Sequence, residues 1–149
     1  MSFHIRLAAR SDLDTLVPLF DAYRQFYRQA ANPGRARSFL AGRLALHDSQ
    51  ILLARDETGL GIGFTQLYPL FSSVRAVRTY LLNDLFVAEA TRRQGVARAL
   101  LIAAADHARE LGAVSLSLST ALDNLPAQRL YESVGWQRDQ GFCEYGLVL

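Results

Sequence analysis

The chain has 149 residues, half of them hydrophobic and a fifth charged, which is the balance of a globular domain of about the commonest size. Its net charge of +2 is too small for a nucleic-acid surface, which needs clustered Lys and Arg. The single cysteine, Cys143, excludes an intrachain disulfide and a cysteine metal cluster and suits a reducing cytoplasm.

Residues 3–8 alternate as a short strand. Ser11 and Asp14 have capping-box spacing and open a helix with Leu13, Leu16, Val17, Phe20, Tyr23 and Tyr27 on one face. Pro18 predicts an irregular or kinked first turn, and Asn32-Pro33-Gly34 ends the pattern. A second helix is predicted over 35–47, with Phe39, Leu40 and Leu44 inward. Residues 50–55 and 60–68 read as strands joined by a turn at Glu57-Thr58-Gly59, and 77–87 as a long strand. Residues 96–111 form a strongly amphipathic helix stopped by Gly112. Residues 114–119 alternate strictly as a strand and 124–133 are helical up to Gly135. Residues 136–140 and 142–148 read as closing strands. No apolar run approaches the ~18 residues of a membrane span, and the start carries no secretory pattern. Residues 1–149 thus read as one α/β or mixed α+β domain.

Two segments carry chemistry. In the first, Leu82-Asn83-Asp84-Leu85-Phe86-Val87 runs through a polar loop into Arg92-Arg93-Gln94-Gly95-Val96-Ala97-Arg98 at the start of a helix. The first turn of a helix has N–H groups without intrahelical partners, at the positive end of its dipole, and so suits a phosphate. Gly95 and the small Ala97 allow close approach, and Arg92, Arg93 and Arg98 add charge. Spacing alone leaves open a plain strand–loop–helix joint with a solvated basic turn. The second segment is Asn124-Leu125-Pro126-Ala127-Gln128-Arg129-Leu130-Tyr131, followed by Gly135-Trp136. Asn124 suits a helix cap or a ligand amide, and Pro126 fits the first turn. The Tyr131 hydroxyl is a possible proton donor, or its ring is a core aromatic like Trp136.

Together the two segments resemble the GNAT superfamily of acyl-CoA N-acyltransferases. Arg92, Gly95 and Ala97 fill its Arg/Gln-x-x-Gly-x-Gly/Ala loop. Asn124, Ala127, Leu130, Tyr131, Gly135 and Trp136 fill its later Asn-x-x-Ala-x-x-Leu-Tyr-x-x-x-Gly-Phe/Trp signature. The strand before the loop looks most like the polyamine and thialysine acetyltransferase branch, which has a carboxylate where this chain has Asn83.

The resemblance implies a mostly antiparallel sheet of six to seven strands with about four helices, its fourth and fifth strands splaying apart. It implies acetyl-coenzyme A as cosubstrate, with no metal. The pantetheine arm would pair near Phe86 and Val87, and the pyrophosphate would rest on Gln94, Gly95, Val96 and Ala97, aided by Arg92, Arg93 and Arg98, while Asn124 would bind the cofactor through an amide. Tyr131 would contact the cofactor and protonate the leaving thiolate. Asp84 is the remaining carboxylate for a base, although strand alternation could turn it into the core. His107 reads as a boundary packing residue. Cys143 lacks a neighbouring His motif and reads poorly as an acyl carrier. The acceptor side is expected from Tyr23, Phe26, Tyr27, Tyr68, Asn83 and Asp84, whose aromatic faces suit a cationic amine. The implied activity is acetyl transfer to a small-molecule amine, in a cytoplasmic homodimer with no nucleic-acid or membrane partner. The alternatives are a protein lysine or N-terminal acetyltransferase and a non-catalytic acyl-CoA sensor.

Overall fold

The structure is a computed structural model describing residues 1–149. It divides into two compact units, Met1–Ser119 and Thr120–Leu149. The first unit holds a five-stranded sheet: β1 (Phe3–Leu7), β2 (Gln50–Asp56), β3 (Gly61–Ser72), β4 (Val77–Val87) and β5 (Leu116–Ser117), in that spatial order. The first four strands are antiparallel neighbours. β5 runs parallel to β4 and pairs only at Tyr80↔Leu116 and Leu81↔Ser117. From Leu82 to Val87 that edge of β4 has no strand partner, so the two strands part as the resemblance implied.

Helices α1 (Leu13–Phe26) and α2 (Pro33–Leu46) cover one face of the sheet. Leu16, Val17, Leu19 and Phe20 of α1 and Ala36 and Leu40 of α2 close over Ile51, Leu53, Phe64 and Phe86. Helix α3 (Val96–Glu110) packs on the opposite face with Val96, Leu100, Leu101, Ala104 and Ala108 buried. Gly63 marks that face. A Cβ there would lie 2.9 Å from the Phe86 carbonyl oxygen and 3.3 Å from Leu100 Cδ1, so only glycine lets α3 sit this close. Its neighbour Phe64 joins the α1 cluster, as strand alternation requires.

The predicted Ser11–Asp14 capping box is not formed. Arg10–Asp12 make a 3₁₀ turn instead, and the Asp12 carboxylate accepts from the Ala9 N–H at 2.8 Å. Asp12 is buried and also takes Arg6 and Arg55, at 2.6 and 2.8 Å, tying the turn to β1 and β2. Asp14 pairs with Arg37 on α2. Helix α1 runs through Pro18 without interruption, although that residue supplies no N–H.

The second unit holds α4 (Leu125–Ser133), capped by Asn124, whose side chain accepts from the Ala127 N–H at 3.3 Å. Two expectations are corrected. The sheet has five strands rather than six or seven, because 136–140 and 142–148 form no strand, and the 114–119 strand shrinks to Leu116–Ser117. A strand exists only where a ladder partner takes its N–H and C=O groups. No pairing reaches the C-terminal tail, and Phe142, Tyr145, Leu147 and Val148 are exposed.

Candidate active site

The site is built around an irregularity in β4. Gln66 pairs with Asp84 but Leu67 pairs with Leu82, so Asn83 is an extra residue in the ladder, a β-bulge. Paired residues share a sheet face. Leu82 therefore points with Leu67 to the α3 face, whereas Asp84 points with Gln66 to the face that carries α1. Without the bulge, regular alternation would send Asp84 to the α3 side with Leu82. Asp84 thus turns into a buried hydrogen-bond network, the outcome that the sequence left open beside a role as base.

Asp84 is buried, 2% exposed, and its partners are neutral. Gln66 Nε2 donates to Oδ2 and Asn83 Nδ2 donates to Oδ1 at 2.7 Å. Thr65 Oγ1 donates to the Asp84 carbonyl at 2.7 Å. Gln66 is itself fully buried, and Ser49 Oγ donates to its Oε1 at 2.8 Å. Burial raises the Asp84 pKa above the usual carboxylate range, and the hydrogen bonds from Gln66, Asn83 and Tyr23 only partly oppose it. A buried carboxylate with no cation beside it is a candidate acid or base.

Two half-buried phenols face this carboxylate. Tyr23, on α1, donates to the Asn83 carbonyl at 3.3 Å. Its own pKa is pushed far up, first by burial and then by the Asp84 charge. Tyr68, on β3, is raised by the same two causes. The Arg43–Asp48 ion pair lies near Tyr68, where Arg43 opposes its upward shift. Tyr27 packs edge-on against Tyr23 with ring centroids 5.2 Å apart. The structure thus brings together four of the six residues expected on the acceptor side, Tyr23, Tyr68, Asn83 and Asp84, with Tyr27 at their rim.

Phe26 belongs to a neighbouring feature. A groove of about 770 Å³ runs between α1 and the end of β4, lined by Pro18, Ala22, Phe26, Phe86, Glu89 and Arg92, among others. The Arg92 guanidinium lies 5.9 Å from the Phe26 ring centroid and 5.7 Å from that of Phe86, and its Nε donates to the Val87 carbonyl at 3.1 Å. Arg92 was expected at the phosphates. Here its side chain reaches back to the strand end.

Beyond Arg92 the chain turns sharply. Arg93 and Gly95 both have left-handed φ, 62° and 83°. Gly95 is the N-cap of α3 and supplies no side-chain cap. The first helical bond after it runs from the Ala99 N–H to the Gly95 carbonyl. The N–H groups of Val96 and Ala97 therefore project ahead of the helix without intrahelical partners. A Cβ on Gly95 would meet nothing within 4 Å, so the space before the helix is open. An open, capless N-terminus with two left-handed residues leading into it offers unpaired N–H groups to an anion such as a pyrophosphate.

In the second unit, Asn124 spends its side-chain oxygen on capping α4, which leaves its amide nitrogen for other work. Tyr131 lies on α4 with its ring centroid 6.3 Å from that of Trp136. His107 Nε2 lies 2.7 Å from Gln50 Oε1 at the start of β2, in the packing role expected of it. Cys143 is exposed.

Sequence reasoning missed Gln66 and Ser49. The one available signal was the polar pair Thr65-Gln66 inside the otherwise apolar run Ile62–Leu67. Its partners lie 17 and 18 positions away, and local pattern cannot reach them.

The chain matches the family model described as acetyltransferase (GNAT) family over residues 16–136, which runs through both units. It is 49% identical over 144 residues to an uncharacterized N-acetyltransferase, YhfO, of Bacillus subtilis (strain 168), covering 97% of this chain and 96% of that protein. A probable acetyltransferase of Haemophilus influenzae is 39% identical over 99 residues, 66% of this chain and 68% of that one. Among solved structures, a crystal structure of a probable acetyltransferase superposes with a TM-score of 0.93 at 46% identity, covering 98% of this chain and 97% of its own.

Proposed function

The chain belongs to the acetyltransferase (GNAT) family, and on that premise we propose that it moves an acetyl group from acetyl-coenzyme A to the amine of a small molecule. The observation that carries the finer reading is the buried, cation-free Asp84 carboxylate on the strand that leads into the capless N-terminus of α3.

Acetyl-coenzyme A supplies the acetyl group as a thioester, whose carbonyl carbon the amine attacks and whose thiolate leaves. The N–H groups of Val96 and Ala97, with Gln94 and Gly95 in the turn, would hold the pyrophosphate, and Arg93 and Arg98 would add charge to its surroundings. The unpaired edge of β4 at Phe86 and Val87 offers backbone groups to the pantetheine arm. Arg92 contributes by bracing the strand end at the Val87 carbonyl.

An ammonium has no lone pair, so the acceptor must lose a proton before attack. Asp84 takes that proton at Oδ1, the oxygen on the Asn83 side. Tyr23 and Tyr68 present aromatic faces and hydroxyls to the cationic acceptor while it is still protonated. A backbone N–H near Phe86 would stabilise the developing oxyanion, and a proton must reach the departing sulfur, the role that the resemblance gives to Tyr131. The tyrosine-lined position of Asp84 favours a compact amine over a protein substrate. The polyamine and thialysine branch keeps a carboxylate where this chain has Asn83, so polyamines form one arm of the test and not its premise. The exposed tail residues Phe142, Tyr145, Leu147 and Val148 support pairing of two chains through this segment.

The test is thermal stabilisation by acetyl-coenzyme A, compared in wild type and Gly95→Val. A ligand that binds only the folded state raises its melting temperature. The β-branched side chain should strain a left-handed residue and crowd the cradle, so the shift should vanish. Equal shifts in both proteins would overturn the cradle. A panel of amines, polyamines, amino acids and peptides assayed by thiol release then separates small-molecule transfer from peptide transfer and from mere binding.

A further inference from the structure

Asp84 lies in the middle of a chain of hydrogen-bonded side chains that crosses the sheet: Ser49, Gln66, Asp84 and Asn83. The chain is asymmetric. Its middle is buried, with Gln66 wholly inaccessible, while Ser49 at one end is half-buried and Asn83 at the other is exposed.

A carboxamide has two faces of opposite polarity, and only one can be presented to a carboxylate. Ser49 Oγ donates to Gln66 Oε1 and thereby fixes Nε2 toward Asp84 Oδ2. With that donor gone, the amide could turn its oxygen to the carboxylate, and two acceptors would then face each other. We propose that Gln66, locked by Ser49, is a positioning residue: it anchors the inner oxygen of Asp84 and leaves Oδ1, under the exposed Asn83 amide, as the oxygen that works on the acceptor. This rests on the reading of Asp84 as the base.

The other groups around Asp84 do not substitute for this anchor. Tyr23 comes from α1, Tyr27 from its C-cap and Tyr68 from β3; burial and the Asp84 charge push the Tyr23 and Tyr68 hydroxyls up, so both stay neutral. The Arg43–Asp48 pair, from α2 and the turn before β2, sits beside Tyr68 and is internally compensated. No other buried amide or cation in the described network donates to Oδ2. Gln66 is therefore the donor whose loss should be felt as a change in basicity.

The experiment follows the carboxyl group directly. In protein labelled with ¹³C at aspartate carboxyls, the Asp84 resonance is titrated in wild type, Gln66→Met, Ser49→Ala and Ser49→Thr, with the pH profile of kcat/KM measured alongside. Removing a donor that favours the charged form should move the Asp84 midpoint up by about one pH unit in Gln66→Met. The acidic limb of kcat/KM should move with it, leaving about tenfold less activity below the limb. Ser49→Ala should shift both in the same direction by less, and Ser49→Thr should restore them, because it keeps the hydroxyl. A purely packing role for Gln66 would lower the melting temperature and leave both midpoints in place, and that result overturns the proposal. If Gln66→Met fails to fold, an unmoved midpoint in Ser49→Ala overturns it equally. Asp84→Asn separates the two readings. Retained activity there removes Asp84 as the base. An inactive Asp84→Asn beside a Gln66→Met enzyme with wild-type midpoints removes only the role of Gln66.

Discussion

The first unit buries two aspartates of interest, and they are opposites. Asp12 sits where the 3₁₀ turn meets β1 and β2 and is closed by two guanidinium groups and a backbone N–H. Asp84 sits on β4 and is closed by two amides, with two phenols facing it. Burial pushes both pKa values up. At Asp12 the Ala9 N–H, Arg6 and Arg55 more than reverse that push and hold the carboxyl below its usual range. At Asp84 the neutral donors do not, and the pKa stays raised. The lesson is that burial alone does not identify a functional acid. A buried carboxylate surrounded by cations is a fastening, whereas one surrounded by neutral donors remains able to exchange a proton.

The largest effect that tests this contrast is catalytic. Asp84→Asn should lower kcat/KM by ~10²–10⁴-fold, the usual scale of general acid–base help, while acetyl-coenzyme A binding persists. Asp12→Asn should leave kcat per folded molecule unchanged. Equal activity losses in the two variants, measured on protein of checked fold, would erase the distinction.

Tyr131→Phe comes next. If the Tyr131 hydroxyl protonates the leaving thiolate, the variant should keep acetyl-coenzyme A binding and lower kcat and kcat/KM alike by ~10²-fold. The loss should shrink with an acyl donor whose thiol is more acidic. An unchanged kcat would remove Tyr131 from the chemistry and leave the Asp84 contrast intact.

Stability should invert the ranking of the two aspartates. Asp12→Asn should cost about 2 kcal/mol, read from denaturant unfolding, because it strands two guanidiniums, one of them half in water. Asp84→Asn should be neutral or stabilising at pH 7, since an amide carries no charge to bury.

The smallest effect is in pH dependence, and its sign differs between the sites. A carboxyl whose folded pKa is depressed adds stability above its unfolded pKa, and the contribution fades as pH falls through the folded value. Asp12 therefore stabilises at neutral pH and lets go in acid. A carboxyl whose folded pKa is raised costs stability at neutral pH, and that cost is relieved as pH falls through the raised value. Removing Asp12 should flatten the acid loss of stability, and removing Asp84 should steepen it slightly. The unfolding free energy of each variant from pH 7 down to about pH 2 reads both.

The helices were legible because their apolar spacing is local: Leu16, Val17 and Phe20 declare α1, and Leu100, Leu101 and Ala104 declare α3. The loop after β4 was legible from Arg92, Gly95 and Ala97. The orientation of Asp84 was not, because it depends on one extra residue in a ladder whose other strand lies in a separate stretch of sequence. Gln66 and Ser49 were hidden for the same reason. The Asp12 fastening was masked by a plausible capping box one residue away. The C-terminal residues alternate well enough to read as strands, but alternation describes a surface and does not provide a neighbour.

The bulge at Asn83 has one more consequence. β4 is out of phase with itself: up to Leu82 it keeps one odd–even rule, and from Asp84 it keeps the reverse. Any substitution at Asn83 preserves that phase slip. Deleting Asn83 would remove the slip and still leave Leu82 and Asp84 as neighbours on opposite faces, so Leu67↔Leu82 and Gln66↔Asp84 could close into a regular ladder. The deletion would keep the carboxylate on its side of the sheet and take away the exposed amide that caps its Oδ1. The inserted residue thus serves as a lid for the carboxylate, which the ladder would hold in place without it.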